Sequence, residues 1–224
     1  MNLIKVTCEV RYLEGTKLLA AYEAVYRDML NKEPQEAKSW IAPGLRIEDK
    51  DKKRIMIMDP IRSAIDVEQP PNIGFCKDSI LQFFKSVHKR VEIPQVGRYG
   101  LRSHWIQDYN GTFEQLLAQF KKCIFANSSL VEKANDLCSI LDYVTGSQKL
   151  TLTMGPMNNE QLRTQFLSFE ATSLPPVFMY FDVDMGDTAT KEFSVQYLAN
   201  FINKAIEEGE RLSNEVIEQI GVQQ

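Results

Sequence analysis

Hydrophobic and polar residues alternate in several stretches of the chain, and this period of two predicts half-buried strands. The predicted strands are residues 4–12, 55–58, 61–67, 98–108, 137–145, 149–154, 161–170 and 177–184. Apolar residues at helical spacing predict four helices, over residues 18–29, 80–91, 113–124 and 193–217. The polar residues 34–53 contain few apolar positions and predict a loop or a short insertion.

The predicted helices carry recognisable start signals. Asp78 is placed to cap the second helix, and Thr112 with Gln115 fits a capping box at the start of the third. Asp187 or Thr188 is expected to cap the last helix, where Gly209 is expected to bend or fray the chain.

The order of these elements repeats, because strand, helix, strands and helix occur twice. The predicted fold class is α+β, a curved antiparallel sheet with helices on one face, since short turns join neighbouring strands. The two passages divide the chain into residues 1–94 and 95–224, expected to form one continuous domain. This arrangement resembles folds of the TATA-box-binding-protein shape and helix-grip folds with a long C-terminal helix.

Composition fits a folded protein and narrows the function classes. The 224 residues are 44% hydrophobic and 25% charged, which excludes disorder of the whole chain. The formal net charge of −4 makes nucleic-acid binding unlikely. Residues 85–104 are locally basic, which indicates either a solvated face or an anion-binding surface.

The cysteines and the N-terminus predict a cytoplasmic protein. The four cysteines form no CxxC pair, and Cys8 and Cys123 lie in apolar patterns that predict buried, reduced thiols. Lys5, Glu9 and Arg11 interrupt the first apolar stretch, so no signal peptide is expected. No apolar run is long enough to predict a membrane span.

Asp182 and Asp184 are the best candidates for a metal site. Residues two apart on a strand point to the same face, and paired carboxylates bind hard cations such as Mg²⁺. Asp142 and Asp187 could add ligands if the fold brings them near. The alternative is that both aspartates are solvent-facing residues of a strand, with no metal bound.

Arg98, Arg102 and His104 share one face of the predicted central strand. Such a face could bind a phosphate or carboxylate, because arginine donates bidentate hydrogen bonds to both groups. The same cations could instead pair with Asp182 and Asp184 across the sheet. The binding residues predicted from sequence are Arg98, Arg102, His104, Asp182 and Asp184.

Three short motifs carry a family resemblance: residues 8–12 (CEVRY), 99–102 (YGLR) and 181–184 (FDVD) before a long helix. With these landmarks the chain resembles a sporadically distributed family of uncharacterised prokaryotic proteins. The resemblance implies a bacterial or archaeal cytosolic protein and supplies no activity or catalytic residues. Ser103, His104 and Trp105 depart from the family's pattern, which continues with tyrosine, an aliphatic residue and asparagine.

The sequence predicts a non-enzymatic binding module that uses the polar face of its sheet. The chain contains no phosphate-binding loop or hydrolase signature, so no cofactor is predicted. One alternative is a metal-dependent hydrolase or transferase that uses Asp182 and Asp184 on a phosphorylated substrate. Another is an accessory or immunity protein of a mobile-element or defence system. The expected partner is a protein or an anionic small ligand, and oligomers could form through the C-terminal helix.

Overall fold

The alternating stretches form one curved antiparallel sheet. The structure, a computed structural model, describes residues 1–13, 16–30, 38–41, 44–91, 95–125, 129–171 and 173–221. The nine strands in these residues are β1 (Asn2–Tyr12), β2 (Lys38–Ile41), β3 (Gly44–Asp49), β4 (Arg54–Asp59), β5 (Arg62–Glu68), β6 (Val96–Asp108), β7 (Ser139–Thr145), β8 (Gln148–Asn158) and β9 (Val177–Asp187). Their order is β2-β3-β4-β5-β1-β6-β9-β8-β7, and each neighbouring pair is antiparallel.

The main helices cover one face of this sheet, which makes the fold α+β as predicted. The helices in the described residues are a 3₁₀ helix (Thr16–Ala21), α1 (Tyr22–Leu30), α2 (Ile73–Arg90), α3 (Phe113–Ile124), α4 (Ser129–Glu132), α5 (Asn159–Phe166) and α6 (Val195–Ile220). Apolar side chains of α1, α2, α3 and α6 pack with the inward residues of the strands in the main hydrophobic core. The other face of the sheet carries most of the charged strand residues.

β1 and β6 join the two passages of the chain. They pair along their length, from Asn2 opposite Ile106 to Tyr12 opposite Val96. The division at residues 1–94 and 95–224 stays a prediction, because both sets of strands belong to one sheet and residues 92–94 lie outside the described part.

Residues 161–170, predicted to be a strand, instead contain most of a helix. α5 spans Asn159–Phe166 and is capped by Asn158, whose side chain accepts a hydrogen bond from the Gln161 backbone N–H at 2.9 Å. The Gln161 side chain in turn accepts a hydrogen bond from the Asn158 backbone N–H, which completes a capping box. The reason that periodicity missed this helix is that Leu162 is its one buried residue.

α5 lies on the polar face of the sheet, opposite the main helices. Leu162 packs there in a second, smaller apolar cluster with Ile4, Ile106, Phe178 and Tyr180. The polar face is therefore covered at one end and open at the other.

Residues 34–53, predicted to be a loop, include β2 and β3 in their described part. Leu45 and Ile47 are buried, whereas Arg46 and Glu48 are partly exposed, which is the alternation of a strand. The Pro34 and Pro43 positions lie outside the described residues.

Two predicted helix caps are corrected by the structure. Asn72, and not Asp78, caps α2, because its side chain accepts the Phe75 backbone N–H at 2.8 Å. Ser194, and not Asp187 or Thr188, caps α6, since β9 continues through Asp187 in register with Tyr99 of β6. The capping box predicted at Thr112 and Gln115 is confirmed.

Gly209 does not end or fray α6, which runs unbroken from Val195 to Ile220. It packs against Ser103 and Trp105 of β6 and Val183 of β9. A Cβ atom at this position would lie 3.0 Å from Ser103 Oγ and 3.1 Å from Trp105 Nε1. Packing at this position therefore favours glycine.

The cysteines divide into two buried and two exposed thiols. Cys8 is buried as predicted, and Cys76 is buried beside it in the core. Cys123 is exposed on α3, contrary to the prediction, because the buried stripe of that helix consists of Leu116, Leu117 and Phe120. None of the helices in the described residues combines the length and hydropathy needed to cross a lipid bilayer.

Candidate functional site

The five residues predicted to form a site all lie on β6 and β9, which are adjacent strands. Arg98, Arg102 and His104 of β6 point to the polar face, and so do Asp182 and Asp184 of β9. In the register of the two strands Arg102 is opposite Asp184, and His104 is opposite Asp182. Of the two alternatives left open from the sequence, pairing across the sheet is found for Arg98 and Arg102 but not for His104.

Arg102 binds Asp182 diagonally across the two strands. Its Nε donates to Asp182 Oδ1 at 2.7 Å, and its Nη2 donates to Oδ2. The Asp182 side chain is 7% exposed and that of Arg102 is 49% exposed. Hydrogen bonding to Asp182 raises the pKa of Arg102. The guanidinium is thereby held in one orientation, with Nη1 free of hydrogen-bond partners among the described residues.

His104 lies beneath α5 and is only 4% exposed. Its Nδ1 is 2.5 Å from the Tyr180 hydroxyl, and its ring centre is 5.4 Å from that of Phe166. Burial lowers the pKa of His104 to about 4, so the imidazole is neutral at pH 7. His104 therefore contributes an aromatic surface and a hydrogen bond instead of a positive charge.

Arg98 lies away from Arg102, above a pair of glycines. A Cβ atom at Gly100 or Gly186 would approach its guanidinium to 3.3 or 3.2 Å. Arg98 Nη1 donates to Glu9 Oε1 at 3.2 Å, and its Nη2 is 3.6 Å from Asp184 Oδ1. Partial burial raises the pKa of Asp184, although Arg98 opposes this effect.

Two separate clefts result from these positions. Arg102 and Asp182 line a cleft of about 480 Å³ between α5 and the strands β8 and β9. Arg98 and Asp184 line a smaller cleft of about 230 Å³, together with Lys149 and Thr151. The five predicted residues therefore do not converge on one point.

The larger cleft combines polar walls with apolar surface. Its lining includes Gln161, Gln165 and Phe166 of α5, with Met157 and Tyr180 of the sheet. Sequence reasoning missed these residues, because nothing in the alternation of β8 and β9 indicates that α5 folds back on the polar face. The Asn158 and Gln161 capping box was the available signal for the helix itself.

Gly155 of β8 shapes the far wall of this larger cleft. A Cβ atom there would lie 2.5 Å from the backbone oxygen of Leu137, which is closer than real Cβ contacts. Glycine thus lets the backbone of Leu137 and Cys138 pack closely on β8 and line that side of the cleft.

The carboxylates do not form a metal-binding group. Both oxygens of Asp182 accept hydrogen bonds from Arg102, and Asp184 lies in the other cleft. Asp142 binds Lys149 at 3.0 Å and Thr151 at 2.6 Å. In the part of the chain that the structure describes, no three His, Cys, Asp or Glu side chains are grouped to hold a metal ion.

Asp187 faces the helical core and is far from this group. It accepts hydrogen bonds from the Tyr197 hydroxyl, the Ala189 backbone N–H at 3.0 Å and Lys191 Nζ at 2.9 Å. Burial would raise its pKa, but these donors hold the pKa well below the ordinary value. Asp187 therefore ties the start of the last segment to the sheet.

Comparison with known proteins finds similarity among solved structures only. No family model matches the chain, and no curated protein sequence matches it. Among solved structures, the chain is similar to Methanococcus jannaschii TBP, with 10% sequence identity over 98% of this chain and 97% of that one. The TM-score is 0.36, which is too low for an argument from this similarity. The resemblance to a prokaryotic family therefore stays a prediction.

Proposed function

We propose that the chain is a non-enzymatic binding protein, and that the larger cleft takes a ligand with an anionic group attached to an apolar body. The observation that carries this proposal is the half-exposed guanidinium of Arg102, which is held at the wall of a partly apolar cleft. A small organic acid and an acidic or C-terminal residue of a partner protein both present this chemistry.

Arg102 supports the proposal because its orientation is fixed before any ligand arrives. Asp182 holds two of the guanidinium nitrogens, so little side-chain entropy remains to be lost on binding. The remaining Nη1 can donate a charge-assisted hydrogen bond to a carboxylate or phosphate oxygen. The Gln165 side chain, exposed on α5, lines the same cleft.

Charge balance indicates that an anion alone binds weakly. Asp182 compensates the charge of Arg102, and Asp136 also lines the cleft. A ligand therefore needs apolar contacts as well, and Met157 and Phe166 offer them within the same cleft. This requirement favours an amphipathic ligand over a free inorganic ion.

Calorimetric titration with matched small probes tests the proposal. The probes are 3-phenylpropionate, phenyl phosphate and the neutral 3-phenylpropanol. We expect the two anions to bind about tenfold more tightly than the alcohol, equivalent to roughly 1.4 kcal/mol. Equal affinity for the alcohol and the carboxylate, or no binding of either anion, would reject the proposal.

Two charge variants localise the binding without touching the ion pair. Gln165→Glu adds a negative charge to the cleft, so both anions should bind several-fold more weakly. Gln196→Glu makes the same chemical change on the exposed surface of α6 and should leave both affinities unchanged. An equal effect of the two variants would place the binding elsewhere.

A further inference from the structure

β7 is the last strand of the sheet and pairs only with β8 in the described residues. Its outer edge therefore carries backbone N–H and C=O groups that are directed away from the sheet. Such an edge is a template for another strand, because its free backbone N–H and C=O groups are complementary to those of a second β-strand.

The side chains of β7 are unusually apolar for a solvent-exposed strand. The large hydrophobic side chains that are exposed in the described residues are Leu13, Ile61, Ile140, Leu141, Tyr143 and Val144. Four of these six belong to β7, which places the main exposed apolar patch of that region on this strand. A patch of this kind marks an interaction surface.

Both faces of β7 contribute to the patch. Ile140 and Val144 are opposite Thr153 and Lys149 of β8, which places them on the polar face of the sheet. Leu141 and Tyr143 are on the helical face, because Leu141 is opposite the buried Leu152. A partner strand beside β7 would therefore cover apolar surface above and below the sheet.

The usual protections of an edge strand are reduced in β7 to a single charged residue, Asp142. Natural edges are short, bulged, or charged. β2, at the opposite edge, has four residues, whereas β7 has seven and pairs with β8 without a register shift. Its one charged residue, Asp142, is compensated within the chain by Lys149.

We propose that β7 pairs antiparallel with β7 of a second copy of this chain, around a two-fold axis at Asp142. In this register Ile140 faces Val144 of the second copy, and Leu141 faces Tyr143 of the second copy. All seven residues are paired, and apolar residues meet apolar residues on both faces. Shifting the register by two residues would set Asp142 against Ile140 or Val144 of the second copy.

The self-complementary sequence of β7 is the argument for a second copy over an unrelated strand. Oligomer formation through α6, which the sequence suggested, has no comparable surface, because the apolar stripe of α6 packs in the core of its own chain. One pair of seven-residue strands buries less than a standard protein interface, so we expect a weak, reversible dimer.

Sedimentation velocity at micromolar to millimolar concentrations tests the pairing with two matched variants. Ile140→Lys and Ile61→Lys change the same residue type at equal exposure, 62% in each case, but Ile61 lies in the turn between β4 and β5. We expect the parent chain to dimerise with rising concentration. Ile140→Lys should raise the dimer dissociation constant more than about tenfold, and Ile61→Lys should not change it.

Asp142→Asn tests the register through a tighter, reversible dimer, which sedimentation velocity separates from the larger aggregates of a misfolded chain. It removes two like charges that face each other at the axis, so the dimer should tighten several-fold. A parent that stays monomeric, equal effects of the two lysine variants, or no gain with Asp142→Asn would overturn the proposal. Uptake of an unrelated β-strand peptide by a monomeric parent would likewise overturn it and assign the edge to another partner.

Discussion

Gly100 and Gly186 are directly opposite each other on β6 and β9, and the side chain of Arg98 lies over both of them. The absence of two Cβ atoms creates a shallow slot on the polar face. The slot lets the Arg98 guanidinium lie low on the sheet, between Glu9 on one side and Asp184 on the other.

Gly186→Ala should have different effects with and without Arg98. In the parent chain the new Cβ atom would lie 3.2 Å from Arg98 Nε and displace the guanidinium, which offsets the gain from a stiffer strand. We expect the free energy of unfolding to change by less than about 1 kcal/mol.

The control introduces Gly186→Ala into the Arg98→Ala variant. There the slot is empty, so Gly186→Ala should stabilise the chain by roughly 0.5–1 kcal/mol, as alanine does over glycine in a strand. Urea unfolding measures both differences. The same effect in both backgrounds would contradict the contact between Arg98 and Gly186.

Removing either partner of the Arg102–Asp182 pair should destabilise the fold by unequal amounts. Arg102→Met leaves a buried carboxylate unpaired and should cost about 2–4 kcal/mol, reduced from a fully buried case because Arg102 is half-exposed. Asp182→Asn leaves a neutral amide and a guanidinium that can reach water, so it should cost less.

A double-mutant cycle by urea denaturation measures this coupling. The double variant should lose less than the sum of the single variants. Arg211→Met is the control, since Arg211 pairs with Glu208 and Glu215 on the exposed surface of α6 and little change is expected. Additive losses at Arg102 and Asp182 would show that the pair is not coupled.

Some secondary-structure elements could be predicted from the sequence and others could not, depending on how many of their residues are buried in a regular pattern. β6 and β9 are long strands in which apolar residues of the helical face alternate with charged or polar residues at Arg98–His104 and Asp182–Asp184, so the sequence shows their alternation even though the fold also buries much of the second face. α5 has one buried residue, Leu162, and hence almost no apolar stripe. Its position is decided by the second apolar cluster, which forms only when Ile4, Ile106 and Tyr180 meet it.

For the candidate site, too, the sequence predicts the local features but not the long-range contacts. Alternation places Arg102 and Asp182 on one face, and that inference needs only their position on strands. The diagonal pairing of Arg102 with Asp182 depends on the register between β6 and β9. The cleft depends on the position of α5 and on the close approach of Leu137 to Gly155, and no local sequence pattern indicates either contact.

Gly209→Ala should destabilise the chain although alanine favours helices. The propensity gain is about 1 kcal/mol, but the new methyl group would press on Ser103 and Trp105, which are buried and bonded to each other at 2.9 Å. Overpacking of this kind costs about 1–3 kcal/mol, so we expect a net loss. Asn214→Ala on the exposed side of α6 is the control and should stabilise slightly in the same thermal unfolding assay.

Stability should fall between pH 6.5 and pH 4 because both histidines are held neutral in the fold. Burial lowers the pKa of His104, and that of His88, from the ordinary 6.5 to about 4. The unfolded chain therefore binds protons first as the pH falls, so the contribution is complete above pH 6.5 and is lost on the way to pH 4. Asp184 acts in the opposite sense, since partial burial raises its pKa.

His104→Gln isolates the share of the buried imidazole in this pH dependence. For a group only 4% exposed, the gap between 6.5 and about 4 corresponds to roughly 3 kcal/mol. The glutamine variant is neutral throughout, so its unfolding free energy should decline less than that of the parent between pH 6.5 and pH 4. His88→Gln separates the second contribution in the same chemical denaturation series. If the His104→Gln curve ran parallel to the parent curve, His104 would have to be solvated and protonated in the folded chain, which its contacts with Tyr180 and Phe166 argue against.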